Sequence, residues 1–172
     1  LDCGGRRSPA RRWLHEAGVE IPQRVQDCGV TYFSRYFRQR RDSTLDRSAL
    51  FGLRGELERL LFLGFIGDRG TFGVVFITLP HDDELEPLRH NLPWETLAAS
   101  IPAIAPWVDA RNAAPLHDVQ VMSGHQNVRR EYAVDGAPLA LGLLSVGDSL
   151  CATNPTYGWG ASAWGCRRVG AA

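Results

Sequence analysis

One stretch of alternating residues constrains the fold of this 172-residue chain more than any other feature. Across residues 25–38, one set of side chains alternates with another: Val30, Tyr32, Ser34 and Tyr36 against Thr31, Phe33, Arg35 and Phe37. A period of two with aromatic and β-branched residues predicts a long strand. Because both sets include apolar groups, both faces of this strand are expected to be partly covered.

The neighbouring segments predict a sheet with helices inserted into it. Two strands, residues 60–66 and 71–79, are joined by Gly67-Asp68-Arg69-Gly70, in which Asp and Gly permit the positive φ angles of a tight hairpin. Further strands are predicted at residues 116–122, 128–134 and 139–146, helices at 11–17, 82–90 and 94–104, and a loop at 40–57. The pattern predicts an α+β fold with an antiparallel or mixed sheet.

Charge and residue usage exclude several classes of function. Nineteen basic residues balance nineteen acidic ones, which removes the electrostatic argument for a nucleic-acid partner. No apolar run reaches the roughly 18 residues that span a bilayer, so no membrane partner is expected. Four cysteines lie far apart, which favours a reduced cytoplasmic protein. The five histidines are scattered, so no metal site is predicted.

The segment most informative about chemistry is residues 141–160. Its apolar start predicts a strand that runs into Gly147-Asp148, followed by Thr153-Asn154-Pro155 and then by Gly158-x-Gly160 at the start of a helix. Glycines let a ligand approach the backbone closely, and amides at a helix N-terminus stabilise negative charge. A carboxylate at the end of a strand can accept hydrogen bonds from ligand hydroxyls.

These residues resemble the second FAD motif of the aromatic hydroxylases, the class A flavoprotein monooxygenases, and of tryptophan-halogenase-like flavoenzymes. The run from Asp2 to Ser8, with Arg11-Arg12-Trp13-Leu14 behind it, is similar to the central Asp-Gly motif of that group and its following helix. The resemblance extends from Asp2 to Gly160 and includes residues 32–37 and 107–109. It implies a substrate-domain sheet plus remnants of an FAD-binding α/β domain.

The resemblance also implies a role for each motif residue. Asp148 would hydrogen-bond the ribityl chain of FAD, Gly147 would allow its close approach, and Pro155 would pack beside the isoalloxazine. Backbone amides near Gly158 and Gly160 would face the pyrimidine edge of the flavin.

The resemblance to these flavoenzymes also implies that further residues lie around the cofactor and the substrate. Residues near the phosphate side of FAD would be Asp2, Gly5, Arg6 and Ser8. Candidate walls of the substrate pocket are Tyr32, Tyr36 and Phe76. The implied domains are residues 1–20, the end of the FAD-binding part; residues 21–134, the substrate-domain sheet and helices; and residues 135–172, the second FAD motif with a truncated helix.

Two departures from the family pattern stand out. The family's first FAD motif, G-x-G-x-x-G, is expected upstream of Leu1. The resemblance therefore implies that the chain is a fragment. Trp159 stands where the family usually has Arg, and the helix expected after Gly160 does not continue as it does in the family.

The expected function is that of a bacterial FAD-dependent oxidoreductase, specifically a monooxygenase acting on a small hydrophobic or aromatic substrate. NAD(P)H or a flavin reductase would supply electrons, and the flavin would supply the chemistry, so no catalytic side chain is assigned. Halogenation is a variant, although its usual catalytic Lys is missing from this Lys-free sequence. The alternatives are a geranylgeranyl-reductase-like flavoenzyme and a non-catalytic truncated relic or hydrophobic binding module.

Overall fold

The computed structural model describes residues 1–157, and the chain divides into two compact units. Unit 1 comprises Leu1–Cys28 and His125–Ala172, and unit 2 comprises Gly29–Gly124. Both domain boundaries that the sequence suggested, after residues 20 and 134, fall inside unit 1.

The described elements are one short helix, five strands, two further short helices and six more strands, in that order. The helices are α1 (Ala10–Glu16), α2 (Asn91–Ser100) and α3 (Ala105–Val108). The strands are β1 (Gln23–Asp27), β2 (Thr31–Gln39), β3 (Arg54–Leu57), β4 (Leu60–Ile66), β5 (Thr71–Thr78), β6 (Ala113–Pro115), β7 (Gln120–Met122), β8 (Gln126–Arg130), β9 (Ala133–Val134), β10 (Ala137–Pro138) and β11 (Cys151–Ala152). Single 3₁₀ turns lie at Gly5–Arg7, Arg47–Leu50, Glu86–Arg89, Gly147–Ser149 and Pro155–Tyr157. The predicted α+β class with a mainly antiparallel sheet is confirmed.

Unit 2 is built on an antiparallel sheet of order β3-β4-β5-β2-β6, with β7 also paired to β2. The predicted hairpin is confirmed as β4 and β5, and the amide of Thr71 donates to the Asp68 carbonyl at 2.9 Å. The positive φ angles of its turn belong to Arg69 (50°) and Gly70 (79°). Glycine takes such an angle without steric cost, which is why the connection can be this short.

The two helices of unit 2 share one apolar core with one face of this sheet. The largest buried members are Phe33, Phe37, Phe72, Phe76, Trp94 and Trp107. The indole of Trp94 is fully buried and donates a hydrogen bond to the Phe33 carbonyl at 3.0 Å, so it anchors α2 to β2. The helix predicted over residues 94–104 is α2, which begins earlier, at Asn91, and ends at Ser100, two residues before Pro102. The second helix, α3, begins beyond the predicted range, at Ala105.

Unit 1 contains a three-stranded antiparallel sheet of order β1-β8-β11. The long strand predicted over residues 25–38 is wrong as one element, because Gly29 has a φ of +64° and separates β1 from β2. A left-handed residue turns the backbone away from an extended path. As a result β1 pairs with β8 in unit 1, whereas β2 pairs with β5 in unit 2.

Several other predicted elements are corrected by the structure. Residues 139–146 are not a strand: Leu141 is 89% exposed and only one parallel bridge, Asp2 to Ser145, forms there. Within residues 1–157 this apolar segment has no neighbouring strand with which to build a ladder, and an unpaired strand is not stable. The predicted strand 128–134 ends at Arg130, the predicted loop 40–57 contains β3, and the strand predicted over residues 116–122 is only β7. The helix predicted over residues 82–90 is a single 3₁₀ turn.

Candidate functional site

Unit 1 brings together the segment that begins at Asp2 and the segment that leads to Gly147-Asp148. The amide of Asp2 donates to the Leu144 carbonyl at 2.7 Å, and the amide of Val146 donates to the Asp2 carbonyl at 3.1 Å. Asp2 and Ser145 thereby form a parallel bridge, although 143 positions separate them in sequence. The two motifs singled out in the sequence are therefore neighbours in space.

The carboxylate of Asp2 organises the loop that follows it. It accepts hydrogen bonds from the amide of Gly4 at 2.9 Å, from the Ser8 hydroxyl at 2.8 Å and from the Ser145 hydroxyl at 3.3 Å. Partial burial alone would raise the pKa of Asp2. The hydrogen bonds and the positive charge of Arg130 outweigh burial, so the pKa lies below its ordinary value of 3.8. Asp2 is therefore ionised at neutral pH.

Arg130 joins three segments of unit 1 from the end of β8. Its guanidinium donates to the carbonyls of Asp148 at 3.2 Å, Ser149 at 2.8 Å and Arg6 at 2.9 Å. Guanidinium groups present several donors in a fixed plane, which suits a residue that must hold converging carbonyls. Arg130 thus fixes the Gly5–Arg7 turn relative to the Gly147–Ser149 turn.

Ser149 forms the second link between these turns. Its side chain is completely buried, and its hydroxyl lies 2.8 Å from the Asp2 carbonyl and 2.6 Å from the Val146 carbonyl. A hydroxyl has one proton, so it donates to one of these carbonyls at a time. The small size of serine allows the two backbones to approach this closely.

Arg6 is engaged inside unit 1 rather than extended into solvent. Its Nη1 lies 2.7 Å from Nδ1 of His125. Because a guanidinium can only donate, Nδ1 of His125 is the acceptor, and a neutral imidazole then carries its proton on Nε2.

The remaining predicted cofactor residues have distinct surroundings. Gly5 and Gly147 both have positive φ angles, of 69° and 60°, which accounts for glycine at each turn. Asp148 is exposed, and its carboxylate has no hydrogen bond or ion pair with any residue from 1 to 157. Pro155 is exposed at the start of the last described turn. Gly158 and Gly160 lie outside the described residues.

The three predicted pocket residues lie on both faces of the unit 2 sheet. Tyr32 and Tyr36 share one face, where the Tyr36 ring contacts Phe65 at 5.4 Å and His117 at 5.3 Å between centroids. Phe76 is on the opposite face, fully buried, with its ring 5.1 Å from Trp94. Phe76 thus contributes to the core between sheet and helices.

The sequence pattern assigned no individual role to Arg130, Ser145 or Ser149, although both serines lie within the motif segment, residues 141–160. Ser145 and Ser149 flank Gly147-Asp148, so their positions alone could have signalled a role. Nothing in the local pattern distinguishes Arg130 from its neighbour Arg129, because the difference is the strand face each side chain occupies.

Some classes of site are absent from the part of the chain that the structure describes. No group of three or more His, Cys, Asp or Glu residues is placed to hold a metal ion there. Cys3, Cys28 and Cys151 are free thiols. No helix within residues 1–157 is long and apolar enough to cross a membrane.

The fold of this chain is that of part of the flavin-dependent halogenases and related flavoproteins. The flavin-dependent halogenase CmlS superposes with a TM-score of 0.54 and 16% identity, covering 94% of this chain and 27% of CmlS. A flavoprotein/dehydrogenase from Cytophaga hutchinsonii gives a TM-score of 0.54 and 13% identity over 90% of this chain and 35% of that protein. For the flavin-dependent brominase Bmp2 the TM-score is 0.50 and the identity 17%, over 88% of this chain and 36% of Bmp2.

These similarities concern the fold, because every identity is below one in five. The chain spans between about a quarter and a third of the length of the structures it matches. No protein-family model matches the sequence, and no curated protein matches it. The predicted resemblance is confirmed at the level of fold for the flavin-dependent halogenases.

Proposed function

We propose that this chain is part of an FAD-dependent oxidoreductase, a monooxygenase acting on a small hydrophobic or aromatic substrate. The observation that carries the proposal is the junction of the Asp2–Ser8 loop with the Gly147-Asp148 turn, which leaves the Asp148 carboxylate exposed and unpaired among the described residues. A carboxylate held on a turn is a good acceptor for ligand hydroxyls.

The residues at this junction divide into ligand-binding and positioning roles. Asp148 would accept hydrogen bonds from the ribityl hydroxyls of FAD, and Gly147 would leave room for the cofactor. Asp2 and Ser8 are already hydrogen-bonded to each other, so they would act by holding the loop in place. The Gly5–Arg7 turn would face the phosphate side of the cofactor.

The final motif residues would contact the flavin ring. Pro155 is exposed and available to pack beside the isoalloxazine. The amides of Gly158 and Gly160 would approach the pyrimidine edge. FAD, when bound, would supply the redox chemistry, with NAD(P)H or a flavin reductase as the electron source, while the protein orients cofactor and substrate.

The proposed substrate-contacting surface is the sheet face of unit 2 that carries the partly buried Tyr36 and the buried Tyr32, which is 4% exposed. This face also carries Phe65, which packs against Tyr36, and Met122, which is 40% exposed. Aromatic and thioether side chains favour a flat apolar ligand.

A non-catalytic hydrophobic binding module is the second candidate. It is favoured by three exposed leucines of unit 1, namely Leu1 (79%), Leu141 (89%) and Leu144 (62%). Large exposed apolar side chains close together on a surface often mark an interaction site.

Flavin titration of a matched pair of variants separates the two candidates. Asp148→Ala removes the proposed acceptor, whereas Asp83→Ala removes an exposed carboxylate of unit 2 that has no partner in the described chain. Loss of charge-assisted hydrogen bonds worth about 1.5–3 kcal/mol weakens binding by about 10- to 150-fold. Flavin fluorescence should show this loss for Asp148→Ala alone. Equal affinities in both variants, or no flavin binding by the unmodified chain, would favour the binding module.

A further inference from the structure

A groove of about 460 Å³ lies along the sheet of unit 1. Strand register places Arg24, Arg129 and Cys151 side by side across β1, β8 and β11. In an antiparallel sheet, residues in register project from the same face, and their sequence neighbours project from the other. Those neighbours include Val128 and Ala152, which are 9% and 1% exposed. Arg24, Arg129 and Cys151 therefore lie on the more open face, and the groove is lined by them together with Val25, Val128 and Ala152.

Two guanidinium groups oppose each other on this face. Arg24 and Arg129 are directly cross-strand, an arrangement in which like charges repel. Nε of Arg24 lies 3.5 Å from a Glu131 carboxylate oxygen, which offsets one of the charges. The Arg129 side chain has no hydrogen bond or ion pair with any residue from 1 to 157. One cation of the pair is thus left without a counter-charge in the described chain.

Neutral donors lie beside the uncompensated guanidinium. Oδ1 of Asn127 accepts from the amide of Asn154 at 2.7 Å, which leaves the Nδ2 group of Asn127 as the free end of that side chain. Thr153 also lines the groove, and its hydroxyl makes no hydrogen bond within the described residues. A guanidinium, an amide nitrogen and a hydroxyl are donors suited to the oxygens of a carboxylate or a phosphate.

We propose that this groove binds a small molecule through its carboxylate or phosphate group, with Arg129 as the principal contact and Asn127 and Thr153 as further donors. Its volume is within the range of small-molecule sites, roughly 300–1,000 Å³. Among the described residues that line the groove, Asp27 is the only one with a carboxylate, and it lies three residues along β1 from Arg24. An anion at Arg129 would relieve the repulsion across the strand pair.

The thiol of Cys151 provides a local probe of this groove, because Cys151 is the register partner of Arg129. Iodoacetate and iodoacetamide both alkylate a thiolate: a C–S bond forms, the C–I bond breaks, iodide leaves and the thiol proton goes to solvent. The two reagents differ in the carboxylate that only iodoacetate carries. Any change in thiol acidity affects both rates alike, so their ratio reports attraction of the anion alone.

The measurement is the iodoacetate-to-iodoacetamide rate ratio at Cys151, read by peptide mass spectrometry on the full chain without flavin. Arg129→Gln should lower this ratio by at least about threefold, since a guanidinium within reach concentrates the anion locally. Arg54→Gln, which removes an exposed strand arginine of unit 2, should leave it unchanged. The exposed Cys3 serves as an internal reference in the same samples.

Competition then identifies the anionic group. Inorganic phosphate and acetate, each compared with chloride at equal ionic strength, should slow iodoacetate at Cys151 more than at Cys3. The anion that acts at the lower concentration indicates whether phosphate or carboxylate is preferred. An unchanged ratio in Arg129→Gln, or equal effects of Arg54→Gln, would overturn the proposal. Because no flavin is present, either result is independent of cofactor binding.

Discussion

The buried hydroxyl of Ser149 offers the cleanest quantitative test of how the two motifs are joined. In Ser149→Ala the side chain loses one oxygen and keeps its place between the two turns. The Asp2 carbonyl still accepts from the amide of Val146, but the Val146 carbonyl loses the hydroxyl donor 2.6 Å away. Because Ser149 is completely buried, water cannot readily replace that donor. Leaving one acceptor unsatisfied should cost about 1–2 kcal/mol.

Hydrogen exchange of individual amides measures this cost locally. The amides of Asp2, Val146 and Leu150 donate within the junction, to the carbonyls of Leu144, Asp2 and Gly147. About 1.4 kcal/mol corresponds to tenfold, so these amides should exchange roughly 5- to 30-fold faster in the variant. Ser123→Ala, at an exposed serine without a described hydrogen bond, is the matched control. Equal exchange in both variants would refute the view that Ser149 links the turns.

Three further predictions concern charge and packing. Asp2→Asn should destabilise unit 1 most near neutral pH, because the pKa of Asp2 is lower in the folded chain than in the unfolded chain. The difference in unfolding free energy between the variant and the wild type should therefore shrink as the pH falls below about 4. Urea unfolding measured across this pH range will show it. Gly55→Ala should cost about 1–3 kcal/mol by the same assay, since a methyl group there would lie 2.2 Å from the buried ring of Phe62. Glu95→Gln leaves the buried Arg35 guanidinium without its ion pair, so it should destabilise unit 2 by about 1–3 kcal/mol, and adding Arg35→Met should restore most of that loss.

The sequence predicted local elements well where the pairing partner was close in the chain. The β4–β5 hairpin is the best case, because its turn residues and its alternating strands lie within 19 consecutive positions (60–78). The strand predicted over residues 25–38 failed at Gly29, where one backbone angle changes the sheet to which the chain contributes. Apolar periodicity reports side-chain faces, and it contains no information on such a change of partner.

The apolar segment before Gly147 failed for a different reason. Residues 139–146 have a strand-forming composition, but a strand also needs a neighbour, and the described chain supplies a single bridge at Ser145. The strand propensity of these residues was not sufficient, because no neighbouring strand in the described chain forms hydrogen bonds along them.

The candidate site was predictable as a set of motifs, and its internal connections were not. The resemblance selected Asp2 and Asp148, and the structure places their segments side by side. The same resemblance treated both carboxylates as cofactor ligands. Only the structure distinguishes the two carboxylates: Asp2 accepts hydrogen bonds from within unit 1, whereas Asp148 is exposed. The role of Arg130 depends on contacts across more than 120 positions, as with the Arg6 carbonyl, and no local pattern indicates such contacts.

The most direct test of the central claim is a hydrogen-exchange footprint of FAD on this chain. If the junction of the two motifs is the flavin-contacting site, saturating FAD should slow exchange in residues 2–8 and 145–155 and leave the β4–β5 hairpin unchanged. Riboflavin should protect residues 145–155 but not residues 2–8, since it lacks the phosphates. Protection confined to unit 2, or no protection at FAD concentrations up to about 1 mM, would contradict the account.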